Sequence, residues 1–199
     1  MHIFLLRHGE TLWNVSGRVQ GQRDIALNET GKAQARTVAP LFAGYHFDAL
    51  ITSDLQRAVE TGSLVSAQAI IGERIRDRRI TEKNFGICEG MNITERRRLY
   101  PGGHAPGEED TDVVCRRMKE AMADYGRRYS GDVLVVGHGS ATSLLMKELV
   151  PECRDSILLP HNLALTILRG QDLKVEAYDL TGAEEKDWLD AYACVHGYR

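Results

Sequence analysis

Two histidines in this chain stand in nearly the same company: Arg7-His8-Gly9 and Gly137-His138-Gly139 each follow a short apolar run, Ile3 to Leu6 and Val133 to Val136. Arg57 comes a few residues after a third run, Ala49 to Thr52. An arginine fork donates two parallel hydrogen bonds and keeps its charge, which suits the oxygens of a phosphate or a carboxylate. A phosphoryl group stays negative throughout its transfer, so side chains of this kind would act by positioning and electrostatic stabilisation. Glycine at positions 9 and 139 lets the backbone approach an anion. His8, beside Arg7, is then a candidate nucleophile as a neutral imidazole, and His138 a candidate donor to a phosphate oxygen. A leaving alkoxide needs a proton from a carboxylic acid, which like charge keeps protonated beside a bound dianion. Spacing alone does not select that carboxyl.

The elements that must position these residues read as alternating strands and helices. The three apolar runs are buried strands. Asn28 caps a helix predicted to run to Phe42, with a kink at Pro40. Ser53 is the predicted cap of a second helix carrying Leu55, Ala58, Val59 and Gly62. A third is marked by Val114, Met118, Ala121, Met122 and Tyr125 at helical spacing. A fourth carries Ala141, Leu144, Leu145 and Leu149 and stops before Pro151. Leu163 to Leu168 and Leu173 to Tyr178 form a predicted hairpin across Gly170. The pattern implies an α/β layered domain with a mostly parallel sheet. Ligands bind beyond the carboxyl ends of such strands, where both histidine motifs and Arg57 converge.

At 199 residues, with neither linker nor repeat, the chain reads as one domain spanning 1–199. A net charge of −3 gives no overall attraction to nucleic acid or to an anionic membrane. Arginines cluster at Arg74, Arg76, Arg78 and Arg79 and again at Arg96 to Arg98, which reads as solvated surface. The four cysteines are scattered, with no C-x-x-C pair, which argues against a zinc knuckle, a redox motif or a disulfide scaffold. No segment has the length of a signal or a membrane span, so a reducing cytoplasm is expected.

Arg7-His8-Gly9-Glu10-Thr11, then Trp13-Asn14, Gly17-Arg18, Gln20-Gly21, Asp24 and Leu27 together resemble the histidine phosphatase superfamily, in the branch of the cofactor-dependent phosphoglycerate mutases and related small phosphatases. The likeness continues through Gly31, Gln34-Ala35, Ser53-Asp54-Leu55, Arg57-Ala58 and Thr61. It resumes at Glu82, Phe85-Gly86, Glu89-Gly90, Gly107-Glu108 and His138-Gly139. The resemblance implies a phosphoglycerate mutase-like fold, a three-layer α/β sandwich with helices on both faces of the sheet. It implies a phosphohistidine on His8, with Arg7, Arg57 and His138 binding the phosphoryl oxygens and Asn14 as a further contact. It implies Glu82 as the acid that protonates the leaving group and then the base that activates water. Gln20 and Gly21 would line the pocket, Gly139 would bind substrate, and Glu10 would be structural. No metal or other cofactor is implied, and the expected partner is a small phosphate ester. Oligomeric state is not legible.

Mutases of this family resemble one another in a long basic insertion after the acid glutamate. Only Met91 to Asp110 separates the Glu89-Gly90 motif from the next helix here, and Gln20-Gly21 also resembles the phosphatase branch. Phosphatase is therefore expected, with mutase activity the alternative and Arg96 to Arg98 as candidate replacements for the missing basic residues. A non-catalytic phospholigand-binding module is the alternative from another class, opposed by the presence of His8, Glu82 and His138. A zinc-deaminase reading of His8-x-Glu10 fails for want of P-C-x-x-C. A dinucleotide loop at Gly137-x-Gly139 fails at Thr142. Glu109 stands where the family has serine, within a segment that shapes substrate choice. His104 in that segment is a possible contact, whereas His2, His46, His161 and His196 read as surface or structural.

Overall fold

A computed structural model describes residues 1–196. Strand β1 (His2–Arg7) alternates its side chains between two cores, because successive Cβ atoms point to opposite faces of a sheet. Ile3 and Leu5 join one cluster, Phe4 and Leu6 the other. Around it are β2 (His46–Thr52), β3 (Ile70–Arg76), β4 (Val133–Gly137), β5 (Leu165–Arg169) and β6 (Lys174–Leu180), in the order β3-β2-β4-β1-β5-β6. The β2–β3, β2–β4 and β1–β4 pairs are parallel, and β1–β5 and β5–β6 are antiparallel.

Helices cover both faces. On one lie α5 (Thr111–Arg128) and α6 (Gly139–Leu149), burying Val114, Met118, Met122, Leu145 and Met146. On the other lie α2 (Glu29–Val38), α3 (Gln56–Val65) and α7 (Gly182–His196), burying Ala35, Ala58, Val65, Leu189 and Tyr192. The short α1 (Leu12–Val15) and α4 (Ile93–Leu99) lie among the loops at the carboxyl ends of the parallel strands. No described helix is long and apolar enough to cross a membrane.

Three expectations about elements are corrected. The sheet contains β3, which the sequence reading had as solvated charge: it is an edge strand with no fully buried residue, so Glu73, Arg74 and Arg76 mask its alternation. The α2 helix ends at Val38 rather than Phe42. A 3₁₀ turn over Ala39–Phe42 takes Pro40 near its start, where a missing N–H breaks no helical bond. Ser53 does not cap α3; Asp24 Oδ1 receives the amide of Gln56 at 2.7 Å. The acidic stretch from Glu184 to Asp190 packs on the domain through α7, with Trp188 edge-on to Phe4.

Candidate active site

Adjacent parallel strands bring the two histidine motifs together. In the β1–β4 register Arg7 is level with Gly137, so His8 and His138 leave neighbouring strands at the same height. Their ring centroids are 5.2 Å apart, and both rings are buried. Arg7, His8, Asn14, Gln20, Gly21, Arg57, Glu82 and Gly139 line one cleft of about 190 Å³ above them. The predicted residues thus converge, with His138 set behind His8.

The tautomer of His8 follows from its neighbour. Its Nδ1 is 2.7 Å from the carbonyl oxygen of Gly9, which can only accept, so Nδ1 carries the proton and Nε2 the lone pair. The loop is fixed from several sides. Asn162 Nδ2 donates to the His8 carbonyl at 2.8 Å, and the Gly9 amide donates to Thr61 Oγ1 at 3.0 Å. Glu10 has the structural place expected of it, accepting Asn28 Nδ2 at 2.8 Å.

Arg57 is wholly buried, yet its two terminal nitrogens donate to the carbonyls of Gly21 at 2.7 Å and Arg23 at 2.8 Å. Gly21 has φ of +53°, and a Cβ there would lie 2.1 Å from Glu89 Oε1, so only glycine fits this loop. Gly139 is constrained by packing: a Cβ would meet Leu159 Cδ1 at 2.8 Å and Arg7 Nε at 3.2 Å. Asn14 Oδ1 accepts from the Thr11 amide at 3.1 Å while the residue lines the cleft. Ser53, the expected cap, instead sits 2.6 Å from His138 Nε2 and orients that ring.

Three buried nitrogens of the cluster, Arg7 Nε, Arg57 Nε and His138 Nδ1, have no hydrogen-bond partner among the described residues. Such groups are costly unless an acceptor reaches them, and an anion's oxygens would. Burial pushes the Arg57 guanidinium down to about 10. Burial, aided by the charges of Arg57 and Arg7, holds His8 well below the ordinary histidine value of 6.5; His138 is depressed for the same reasons. Both imidazoles are therefore neutral in the folded protein near neutral pH.

A stability profile follows from the sign of those shifts. The unfolded chain protonates these histidines near 6.5 while the folded chain does not, so stability is full above that pH and falls below it. Each group removes about 1.4 kcal/mol per pH unit across the window below 6.5. Urea midpoints between neutrality and about pH 5 should fall accordingly, and His138→Gln should flatten the slope; an unchanged slope would refute the assignment.

Glu82, 7% exposed, lies opposite. Its carboxyl accepts the amides of Lys83 at 2.9 Å and Ala141 at 2.8 Å through Oε1, and of Ser140 at 3.0 Å through Oε2. The first turn of α6 therefore holds the carboxyl beside the His138 motif. The backbone behind it is tied by Arg117 of α5, which the sequence reading missed. Its guanidinium donates to the carbonyls of Arg79, Thr81 and Glu82 at 2.8, 2.6 and 3.2 Å. Glu109, the departure from the family pattern, grips the same guanidinium at 2.8 and 3.0 Å. Arg117 touches nothing that reacts; it is a positioning residue. With Glu82 as the acid that the family resemblance implies, Arg117→Lys should lower turnover of alkyl phosphates about ten- to a hundredfold through misplacement of Glu82. The loss should be much smaller on a nitrophenyl ester, whereas equal losses would mark a purely structural role.

The wall away from His8 carries Phe85, Ile93, Arg18, Arg96 and Arg97. Of the run Arg96 to Arg98, expected as solvated surface or as replacements for the missing basic residues, Arg96 and Arg97 line the cleft. Arg96 stacks 4.9 Å from the Phe85 ring and pairs with Glu108 at 2.8 Å, whereas Arg97 has no ion pair among the described residues. His104 is exposed and is not among the residues lining this cleft. His2 is buried and structural, His46 is exposed, and His161 pairs on the surface with Asp179. The His196 side chain lies outside the described residues.

Residues 3–179 match the family model described as "Histidine phosphatase superfamily (branch 1)". An uncharacterized phosphatase, PhoE, of Bacillus subtilis is 33% identical over 148 residues, covering 74% of this chain and 76% of that protein. A probable phosphoglycerate mutase, GpmB, of Escherichia fergusonii is 35% identical over 162 residues, covering 75% of each. Among solved structures, YhfR of Bacillus stearothermophilus superimposes with a TM-score of 0.82 at 27% identity, over 91% of this chain and 98% of that one.

Proposed function

Because the chain belongs to the histidine phosphatase superfamily, we propose that it hydrolyses small phosphomonoesters in two steps through a phosphohistidine on His8. In the first step the Nε2 lone pair attacks phosphorus, the ester P–O bond breaks, and the Glu82 carboxyl gives its proton to the departing oxygen. In the second, Glu82 as carboxylate takes a proton from water, which attacks phosphorus; the P–N bond breaks and its electron pair returns to Nε2. Arg7, Arg57 and His138 hold the non-bridging oxygens, with Asn14 as a further contact and Gln20, Gly21 and Gly139 shaping the pocket.

The carrying observation is the Nδ1 contact of His8 with the Gly9 carbonyl, which leaves Nε2 free beside three unpartnered nitrogens on phosphate-binding candidates. Side chains meet the phosphate charge, so no metal is needed in this reading. The unpaired Arg97 on the cleft wall favours esters whose alcohol carries a second anionic group.

Phosphate release from a panel of phosphomonoesters in chelator tests the proposal, with esters bearing a second anion ranking first. Isomerisation of 3-phosphoglycerate, with and without its bisphosphate, is read alongside. Loss of most release in chelator would overturn the metal-independent reading. Isomerisation without release would make the protein a mutase, the activity its GpmB relatives are named for.

A further inference from the structure

A second cavity, of about 450 Å³, lies on the far side of the catalytic loop from the substrate cleft. Val38, Leu41, Leu163 and Ala183 supply apolar walls, drawn from α2 and the turn after it, the segment before β5, and the start of α7. Glu185 also lines it and is the odd member. It is only 2% exposed, and its Oε1 has no hydrogen-bond partner among the described residues. An uncompensated buried carboxyl is costly in a fold, and here desolvation alone pushes it up to about 8. Among the described residues the one basic side chain on the rim, Lys186, is turned to Asp190 at 2.6 Å and does not serve it.

The volume is that of small-molecule sites, which are mostly apolar with a few placed polar groups. An ammonium head would supply the missing counter-charge at Glu185, and an apolar body would fill the remaining walls. We propose that this cavity is a binding site for a small organic ammonium ion with an apolar body, its head on Glu185. Val38, Leu41, Ala183 and Glu185 take no part in the phosphatase chemistry, so the site stands independently of that reading.

The site shares its wall with the catalytic loop. Asn162, on its rim, holds the His8 carbonyl, and Gln34 receives the Glu10 amide at 3.1 Å. Leu163 donates its amide to the Arg7 carbonyl at 3.1 Å while held at a φ of +60°, a conformation leucine rarely adopts.

Calorimetric titration of the full chain with 2-phenylethylammonium, and with 2-phenylethanol as its neutral analogue, tests the site. The ammonium should bind one-to-one and at least about tenfold more tightly than the alcohol, and Glu185→Gln should remove at least about that factor. Thr37→Trp, which fills the mouth from an exposed position on α2, should abolish binding and decides the location even if the Glu185 variant does not fold. Equal affinity for the two probes, no saturable binding in the millimolar range, or binding unmoved by Thr37→Trp would each overturn the proposal.

Discussion

Labelled phosphate should stay off the protein entirely when His8 is replaced by alanine, and phosphate release should fall by about 10⁴-fold or more. The expectation rests on the tautomer: Nε2 is the nitrogen that carries a lone pair into the cleft, because Nδ1 is engaged with the Gly9 carbonyl. His138 cannot take over, since its Nε2 faces Ser53 and its ring is set behind His8. The substitution removes a neutral ring and leaves both guanidiniums in place, so orthophosphate should still bind with affinity within about tenfold of the parent. That pairing of results separates enzyme from binding module. Binding without turnover in His8→Ala, against binding with turnover in the parent, is the signature of a nucleophile. Retained labelling in the variant would move the nucleophile elsewhere and sink the mechanism.

Glu82→Gln should divide substrates by their leaving groups. Alkyl phosphates need a proton on the departing oxygen, and loss of a general acid costs about 10²- to 10⁴-fold. A nitrophenyl ester departs without that help, so its first turnover should be nearly normal. The second step also uses Glu82, as base toward water. With nitrophenyl phosphate the variant should therefore release one burst of nitrophenol per active site and then stall as the phosphoenzyme. Glutamine can keep the Lys83 and Ala141 bonds through its oxygen but sets an amide group against the Ser140 amide, at a cost of about 1–3 kcal/mol. A melting measurement accounts for that loss separately. Uniform slowing on both esters, without a burst, would reduce Glu82 to a positioning role.

Legibility in the sequence followed burial. The β1 and β4 strands could be read because every residue but the last of β1 is buried, which leaves a continuous apolar run. The β3 strand could not: it is an edge strand with no buried residue, as β6 is, but β6 keeps Val175 and Ala177 at alternate positions whereas Glu73, Arg74 and Arg76 interrupt β3. The cluster of Arg7, His8, Arg57 and His138 was legible because each stands at or just beyond a strand end, and strand ends share one edge of the sheet. Glu82 was not: it lies in a loop between 3₁₀ turns, and its place depends on amides of α6 nearly sixty residues away. Only family resemblance selected it. Arg117 was missed because three of its partners are backbone carbonyls, which every residue possesses, and its carboxylate partner Glu109 lies eight residues away with nothing in the spacing to pair them. Arg96 to Arg98 allowed two readings, solvated surface or basic residues for the substrate, because a basic run on one short helix is solvated on one side and faces the cleft on the other; Arg96 and Arg97 line the cleft.

The guanidiniums of the half-buried Arg7 and the wholly buried Arg57 have a consequence beyond catalysis. Desolvation lowers both, and Arg7 adds to the depression at Arg57. A native state that encloses two cations in this way gains from any oxyanion it admits, and mass action turns that gain into resistance to unfolding. A ligand at a hundredfold excess over its dissociation constant contributes about 2.7 kcal/mol. On the proposed mechanism orthophosphate, the product, would meet the same nitrogens as the ester. Ambient phosphate would thus lengthen the lifetime of the folded chain while slowing its turnover, so that durability and throughput are set in opposite directions by one solute.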